Sequence, residues 1–319
     1  MMHRAWVLGA VLLFCGGGGV SAAQNQKNWE LCNRPGDLVV QCLVVTPSGS
    51  MLAGTLEGGV FVSTNGARSW SCRNAGLDAA AVLAAAVCPD GEFLIGTFGK
   101  GVFASADKGV NWRPIGCELG DMEVTALAVS SGGVAYAATA QSGLFRCGGG
   151  NGGWIAAGLS GVYVNALVVT PYGGLIVATS GRGIAVSADQ GRTWTFAAGD
   201  LIGREVWDVA IDRRGRVFAA TNGLGVFRSD NDGATWTQVN NGLDEPFIGS
   251  LAVLPGGDLI AGSARGIYRS HDGGEQWSYA GAGMDQSVIT SLAADQEATL
   301  FAGTAYGTLI RNESPSPLK

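Results

Sequence analysis

Within four residues of this 319-residue chain stand two carboxylates and an indole, Glu205, Trp207 and Asp208. Tyr163 and Asn165 precede Glu205 and Trp207 by 42 residues each, and Phe247 follows Glu205 by 42. Glycine-flanked segments elsewhere carry Arg182, Arg265 and Tyr306, with Lys100 in a similar setting. Rings combined with carboxylates and guanidinium groups suit a sugar or a peptide, because the ring covers an apolar face while the charged groups hold hydroxyls, amides or ions. Other chemistries are excluded by composition. The chain has two histidines, His3 and His271, and His3 falls in an N-terminal leader. Ser-His-Asp catalysis and multi-histidine metal sites therefore lack their residues. The cysteines form no CxxC pair, so no zinc site is expected, and nothing implies a cofactor. A net charge of -6 gives no basic field for a phosphate backbone, which argues against a nucleic-acid partner.

Those residues must be positioned by a repeat. Tryptophans at 29, 70, 112, 154, 194, 236 and 277 are separated by 40 to 42 residues, a spacing typical of propeller blades. Other features keep the same phase. Apolar segments such as ALAVSSGG at 126 and ALVVTPYG at 166 read as strands entering turns. Short runs such as LIGT at 94 and FAAT at 218 give second strands, glycine-led runs such as GVFAS at 101 and GVFRS at 225 give third strands, and the tryptophan closes a fourth. With 52 glycines and 47% hydrophobic residues, the chain is turn-rich and folded rather than disordered. The expected fold is all-β, a seven-bladed β-propeller of roughly 41-residue, four-stranded blades. Residues 278–312 hold three strands without a tryptophan, and the segment Gln24 to Glu30 holds Trp29 without other strands. The N-terminal strand is therefore expected to complete the seventh blade, since closure removes exposed sheet edges. Aligned first strands place Cys42, Ala84, Ala126, Ala166, Asp208, Ser250 and Ser291 at one position, which makes Asp208 the exception. Trp207 stands out in the same way one position earlier. A second reading makes Trp207 a channel plug and gives Asp208 a backbone or hydroxyl donor such as Ser250.

The chain divides into a leader at 1–23, the propeller at 24–312 and a tail at 313–319. The leader has one arginine, an apolar run from Ala5 to Cys15, and Ser21 and Ala23 before the cleavage point, the pattern of a secretory signal peptide. Its run is too short to span a bilayer and no later run is longer, so no transmembrane segment is expected. The mature protein is expected to be secreted or periplasmic. Lipid anchoring at Cys15 is disfavoured by the bulky Phe14 before it. Cleavage leaves six cysteines, Cys32, Cys42, Cys72, Cys88, Cys117 and Cys147, an even number that permits disulfides without choosing among pairings.

The turns before the tryptophans carry a motif: Ser105-x-Asp107-x-Gly109-x-x-Trp112, Ser187-x-Asp189-x-Gly191-x-x-Trp194, Ser229-x-Asn231-x-Gly233-x-x-Trp236 and Ser270-x-Asp272-x-Gly274-x-x-Trp277. It resembles the Asp-box of the sialidase-like, or BNR-repeat, propellers. Physically these are turn staples, in which Ser and Asp bind backbone N–H groups and Gly supplies a positive φ. The resemblance implies that these turns lie opposite the ligand face, which is built from the second-to-third-strand turns and the approaches to each first strand. It also raises a sialidase-type glycoside hydrolase, whose arginines, tyrosine, glutamate and aspartate have counterparts in type at Arg182, Arg204, Arg265, Tyr306, Glu205 and Asp208. The spacing assigns them no roles, and the family's Arg-Ile-Pro signature is missing near Asn33-Arg34-Pro35. In overall layout the chain also looks like the photosystem II assembly propellers. A non-catalytic binding or scaffold protein, recognising a protein or carbohydrate partner on one face, is the leading expectation.

Overall fold

A computed structural model describes residues 30–32, 38–148, 153–281, 284 and 287–312. The leader, Cys15, Trp29, Arg34 and the 313–319 tail lie outside the described residues. Seven antiparallel sheets of four strands each make up the structure. Their first strands are Val40–Val45, Val82–Val87, Val124–Val129, Val164–Val169, Val206–Ile211, Ile248–Val253 and Ile289–Ala294. Each contacts the first strand of the blade before and after it, and Ile289–Ala294 contacts Val40–Val45, so the sheets form a ring. Second strands such as Leu175–Thr179 are buried along their whole length, which explains why they read as continuous apolar runs instead of alternating ones.

The repeated Thr and Gly of each blade work as a pair. Thr97, Thr139, Thr179 and Thr221 end second strands and donate their hydroxyls to the carbonyls of Gly101, Gly143, Gly183 and Gly225 at 2.7–2.9 Å. Gly183 opens its third strand at φ 76°, with the Leu201 carbonyl 2.1 Å from where a Cβ would sit. No other residue fits there.

One expectation needs correction. Fourth strands are two residues long, as in Arg113–Pro114 and Thr237–Gln238, and they begin after the tryptophan. The tryptophan itself leaves its own blade. Trp112, Trp154, Trp194 and Trp277 donate Nε1 to Arg73, Ile115, Ala157 and Val239 of the preceding blade at 2.7–2.9 Å. The large ring is buried between blades, where an apolar surface would otherwise face its neighbour across a gap.

In the seventh sheet the fourth place is held by Glu30–Leu31, with Glu30 opposite Arg311 and Leu31 opposite Ile310. Cys32 N–H continues the pairing to the Leu309 carbonyl at 3.0 Å. Cys32 is buried, Cys42 and Cys147 are half-buried, and Cys72, Cys88 and Cys117 are free thiols.

Strand order defines two faces. First-to-second and third-to-fourth connections lie at one end of every blade, and second-to-third turns and blade-to-blade crossings lie at the other. We call these the hairpin face and the loop face.

Candidate functional site

Every first strand carries a bulge at its second residue, Trp207 in blade five. In three blades the extra residue reaches the next blade. Thr125 donates to the Val164 carbonyl at 2.6 Å, Asn165 to Val206 at 2.7 Å and Thr290 to Val40 at 3.1 Å, the last of these joining blade seven to blade one. Asn165 is thus a clasp between blades, and it also accepts the Ser180 hydroxyl at 3.2 Å. Trp207 occupies the clasp position of blade five, yet its Nε1 is buried with no hydrogen-bond partner.

Asp208 follows. Its Oδ1 accepts Val209 N–H and its Oδ2 accepts Leu251 N–H of blade six, both at 2.8 Å. A donor from the neighbouring blade is thus a backbone amide. Glu205 lies on the loop face, where Asn222 Nδ2 donates to its Oε2 at 3.0 Å. The two carboxylates therefore serve different partners.

A ring of seven equivalent positions surrounds the loop-face mouth. Val39, Ala81, Glu123, Tyr163, Glu205, Phe247 and Val288 each accept through their carbonyl from the first residue of their own blade's second-to-third-strand turn. The Tyr163 hydroxyl donates to Glu123 Oε1 at 3.3 Å. Phe247 is 45% exposed and pairs with Asn222 through an isolated bridge. The structure thus groups Glu205, Trp207, Asp208, Phe247 and the blade-four pair Tyr163 and Asn165. Both candidate arginines have partners of their own. The Arg182 guanidinium lies 5.9 Å from the ring of Phe196 on its blade's outermost strand, and Arg265 Nε is 3.4 Å from Glu245 Oε2. Tyr306 is exposed on the blade-seven turn.

Sequence reasoning passed over the Asp244-Glu245 pair, although it sits in the same crossing as Phe247. Glu245 is buried and accepts Phe247 N–H at 3.1 Å. Asp244 accepts the Tyr268 hydroxyl at 2.5 Å. Burial, with Asp244 second, raises the Tyr268 phenol, and the Tyr268 hydrogen bond lowers the Asp244 carboxyl. Also missed was a groove of about 460 Å³ on the hairpin face, lined by Pro47, Val87, Cys88, Pro89, Phe93 and Val129 among others. Burial and the nearby Asp90 and Glu92 push the Cys88 thiol up to about 11, so it stays protonated at neutral pH. Among the described residues no group of three or more His, Cys, Asp or Glu could hold a metal ion.

The aspartates of the tryptophan turns lie on the hairpin face and staple their own turns. Asp107 Oδ1 accepts Asn111 N–H at 2.9 Å and the Ser105 hydroxyl at 2.8 Å, while Ser105 accepts Gly109 N–H at 2.8 Å. Asp189 and Asp272 repeat these bonds, and Asn65 and Asn231 make them as amides.

No protein-family model and no curated protein matches the sequence. Solved structures do match. Virginiamycin B lyase from Staphylococcus aureus superposes at TM-score 0.78 and 12% identity, over 90% of this chain and 98% of that one. YCF48 bound to D1 peptide superposes at 0.74 and 18% identity, over 92% of this chain and 99% of that one. The extracellular domain of BT4673 from B. thetaiotaomicron gives 0.73 and 17% identity over 92% of this chain, which spans 41% of that longer chain. At such identities the likeness establishes architecture. This chain is a seven-bladed β-propeller.

Proposed function

We propose that this propeller is a non-catalytic, exported binding protein that holds a protein partner on its loop face, around Tyr163, Glu205, Trp207 and Phe247. The observation that carries this reading is the state of Asp208, the one carboxylate at its position in the seven first strands, which is held by two backbone amides. A catalytic carboxylate has to be offered to a substrate, whereas here the groups left at the mouth are rings, Glu123 and Glu205. The minimal hairpins fit the same view, since chemistry with several precisely held groups needs more supporting structure. YCF48, matched over nearly its whole length, has been solved with a peptide bound, and the BT4673 match is an extracellular domain. Export rests on the leader at 1–23. Among the described residues no helix is long and apolar enough to cross a membrane.

The test runs pull-down and glycan-array screens beside a fluorogenic sialoside assay. Trp207→Ala is expected to weaken a captured partner by at least about 1 kcal/mol, as truncated interface tryptophans do. Lowered thermal stability with intact affinity would make Trp207 a plug and remove it, with Asp208, from the site. Sialoside turnover lost in Tyr306→Phe would replace binding by hydrolysis.

A further inference from the structure

The mouth ring is lopsided. Four consecutive blades supply Glu123, Tyr163, Glu205 and Phe247, alternating carboxylate and ring, while the remaining three supply Val288, Val39 and Ala81. At blade five the carboxylate and the ring are joined through shared neighbours. Asn222 donates to Glu205 and bridges to Phe247, and the Phe247 ring lies over the next residue, 3.5 Å from where a Gly223 Cβ would sit. Among the described residues Asn222 is the only donor to the Glu205 carboxylate. This carboxylate thus has one neutral hydrogen bond, itself exposed, and, among the described residues, no ion-pair partner, which leaves it open to an incoming cation. Two residues along the chain, Trp207 Nε1 is buried with no hydrogen-bond partner.

The surrounding surface has the same sign. Asp78, Asp121, Asp200 and Asp244 are exposed on the blade-to-blade crossings of this face. Among the described cations of the face, Lys100 lies 3.5 Å from Asp78 and Arg265 lies 3.4 Å from Glu245, while Arg182 lies 5.9 Å from the Phe196 ring and Arg204 Nε donates to the Asp200 carbonyl at 3.3 Å.

Building on the binding function proposed above, we propose that the mouth at blades five and six receives a lysine or arginine side chain of a basic polypeptide partner. Its charge sits on Glu205 and its stem or guanidinium plane lies against Phe247. A cation over an exposed ring gains from the ring's quadrupole, and the long apolar stem covers the rest of the ring. Glu123, held in place by Tyr163, extends the acidic arc toward the next basic residue.

The experiment screens an array of dodecapeptides of mixed charge against the full propeller and measures the best binders by fluorescence polarisation. The expected binders contain lysine or arginine, and replacing that residue with acetyl-lysine or citrulline weakens them roughly tenfold or more, as for a desolvated charge pair. Glu205→Gln, with unchanged thermal stability, produces a similar loss, while Asp230→Asn on the hairpin face produces none. Selection of neutral or acidic peptides, or full affinity in Glu205→Gln, overturns the proposal. If neutral peptides bind and Trp207→Ala abolishes their binding, the partner face stands and only its basic preference falls. An array without binders, together with sialoside turnover, overturns both.

Discussion

Asp107 and Asp189 show how a single side chain can serve the fold while resembling a catalytic group. The Asn111 backbone N–H holds the Asp107 carboxyl down to about 2, and the Thr193 hydroxyl does the same for Asp189, against an ordinary value of 3.8. Asp272 is also lowered, chiefly by Gln276 N–H. A carboxyl whose pKa is depressed by folding adds stability above its unfolded value, and that stability is lost as pH falls through the folded value. The window here runs from about pH 4 down to about pH 2. Blades one and five already carry Asn65 and Asn231, which make the same bonds without titrating. The triple variant Asp107→Asn, Asp189→Asn, Asp272→Asn should therefore keep its neutral-pH stability and lose part of the acid limb. Denaturant midpoints measured across pH 2 to 7 check this, and an unchanged acid limb would contradict the assignment.

At the level of the blade, the tryptophans are couplings between neighbours, and they are not all equal. Trp277 donates to Val239 of blade five, whereas the buried Trp70 Nε1 has no partner among the described residues and Trp236 bonds Gly233 in its own turn at 3.0 Å. Trp277→Phe keeps most of the ring and orphans a carbonyl, so it should cost about 1 kcal/mol, while Trp70→Phe removes an unmet donor and should be neutral or stabilising. Urea unfolding of the two variants side by side decides the point. The blades themselves were legible in the sequence because each repeat solves the same problem with the same residues: β-branched strands, the Thr–Gly pair and the turn before Trp. The couplings were not. Asp208 finds Leu251, 43 residues ahead, and Trp112 finds Arg73, 39 residues behind. Which atoms meet across a blade boundary depends on how the sheets are rotated about the channel, and no local pattern encodes that rotation. The candidate site was readable only as a break in the repeat at Trp207 and Asp208. Glu245 and Asp244 escaped because their crossing has no regular period to break.

For the molecule as a whole, the ring depends on contacts between its two ends. Glu30–Leu31 pairs with Leu309–Asn312, and Thr290 reaches Val40. Deleting residues 24–31 should uncover a strand edge and lower stability by several kcal/mol or cause aggregation. Thermal melts and light scattering would register either, and an unaltered melting temperature would mean the edge strand carries no weight. The same pairing has a consequence in time. Leu31 meets Ile310, 279 residues later in the chain. At about 5–20 residues per second, a ribosome needs roughly a quarter of a minute to a minute to make the second after the first. For that interval the earliest-made strand has no partner, and the growing chain is an open arc with two unsatisfied ends. The first strand made is thus the last one placed. A chain interrupted anywhere before about residue 309 is therefore an unclosed ring, however well its finished blades have folded.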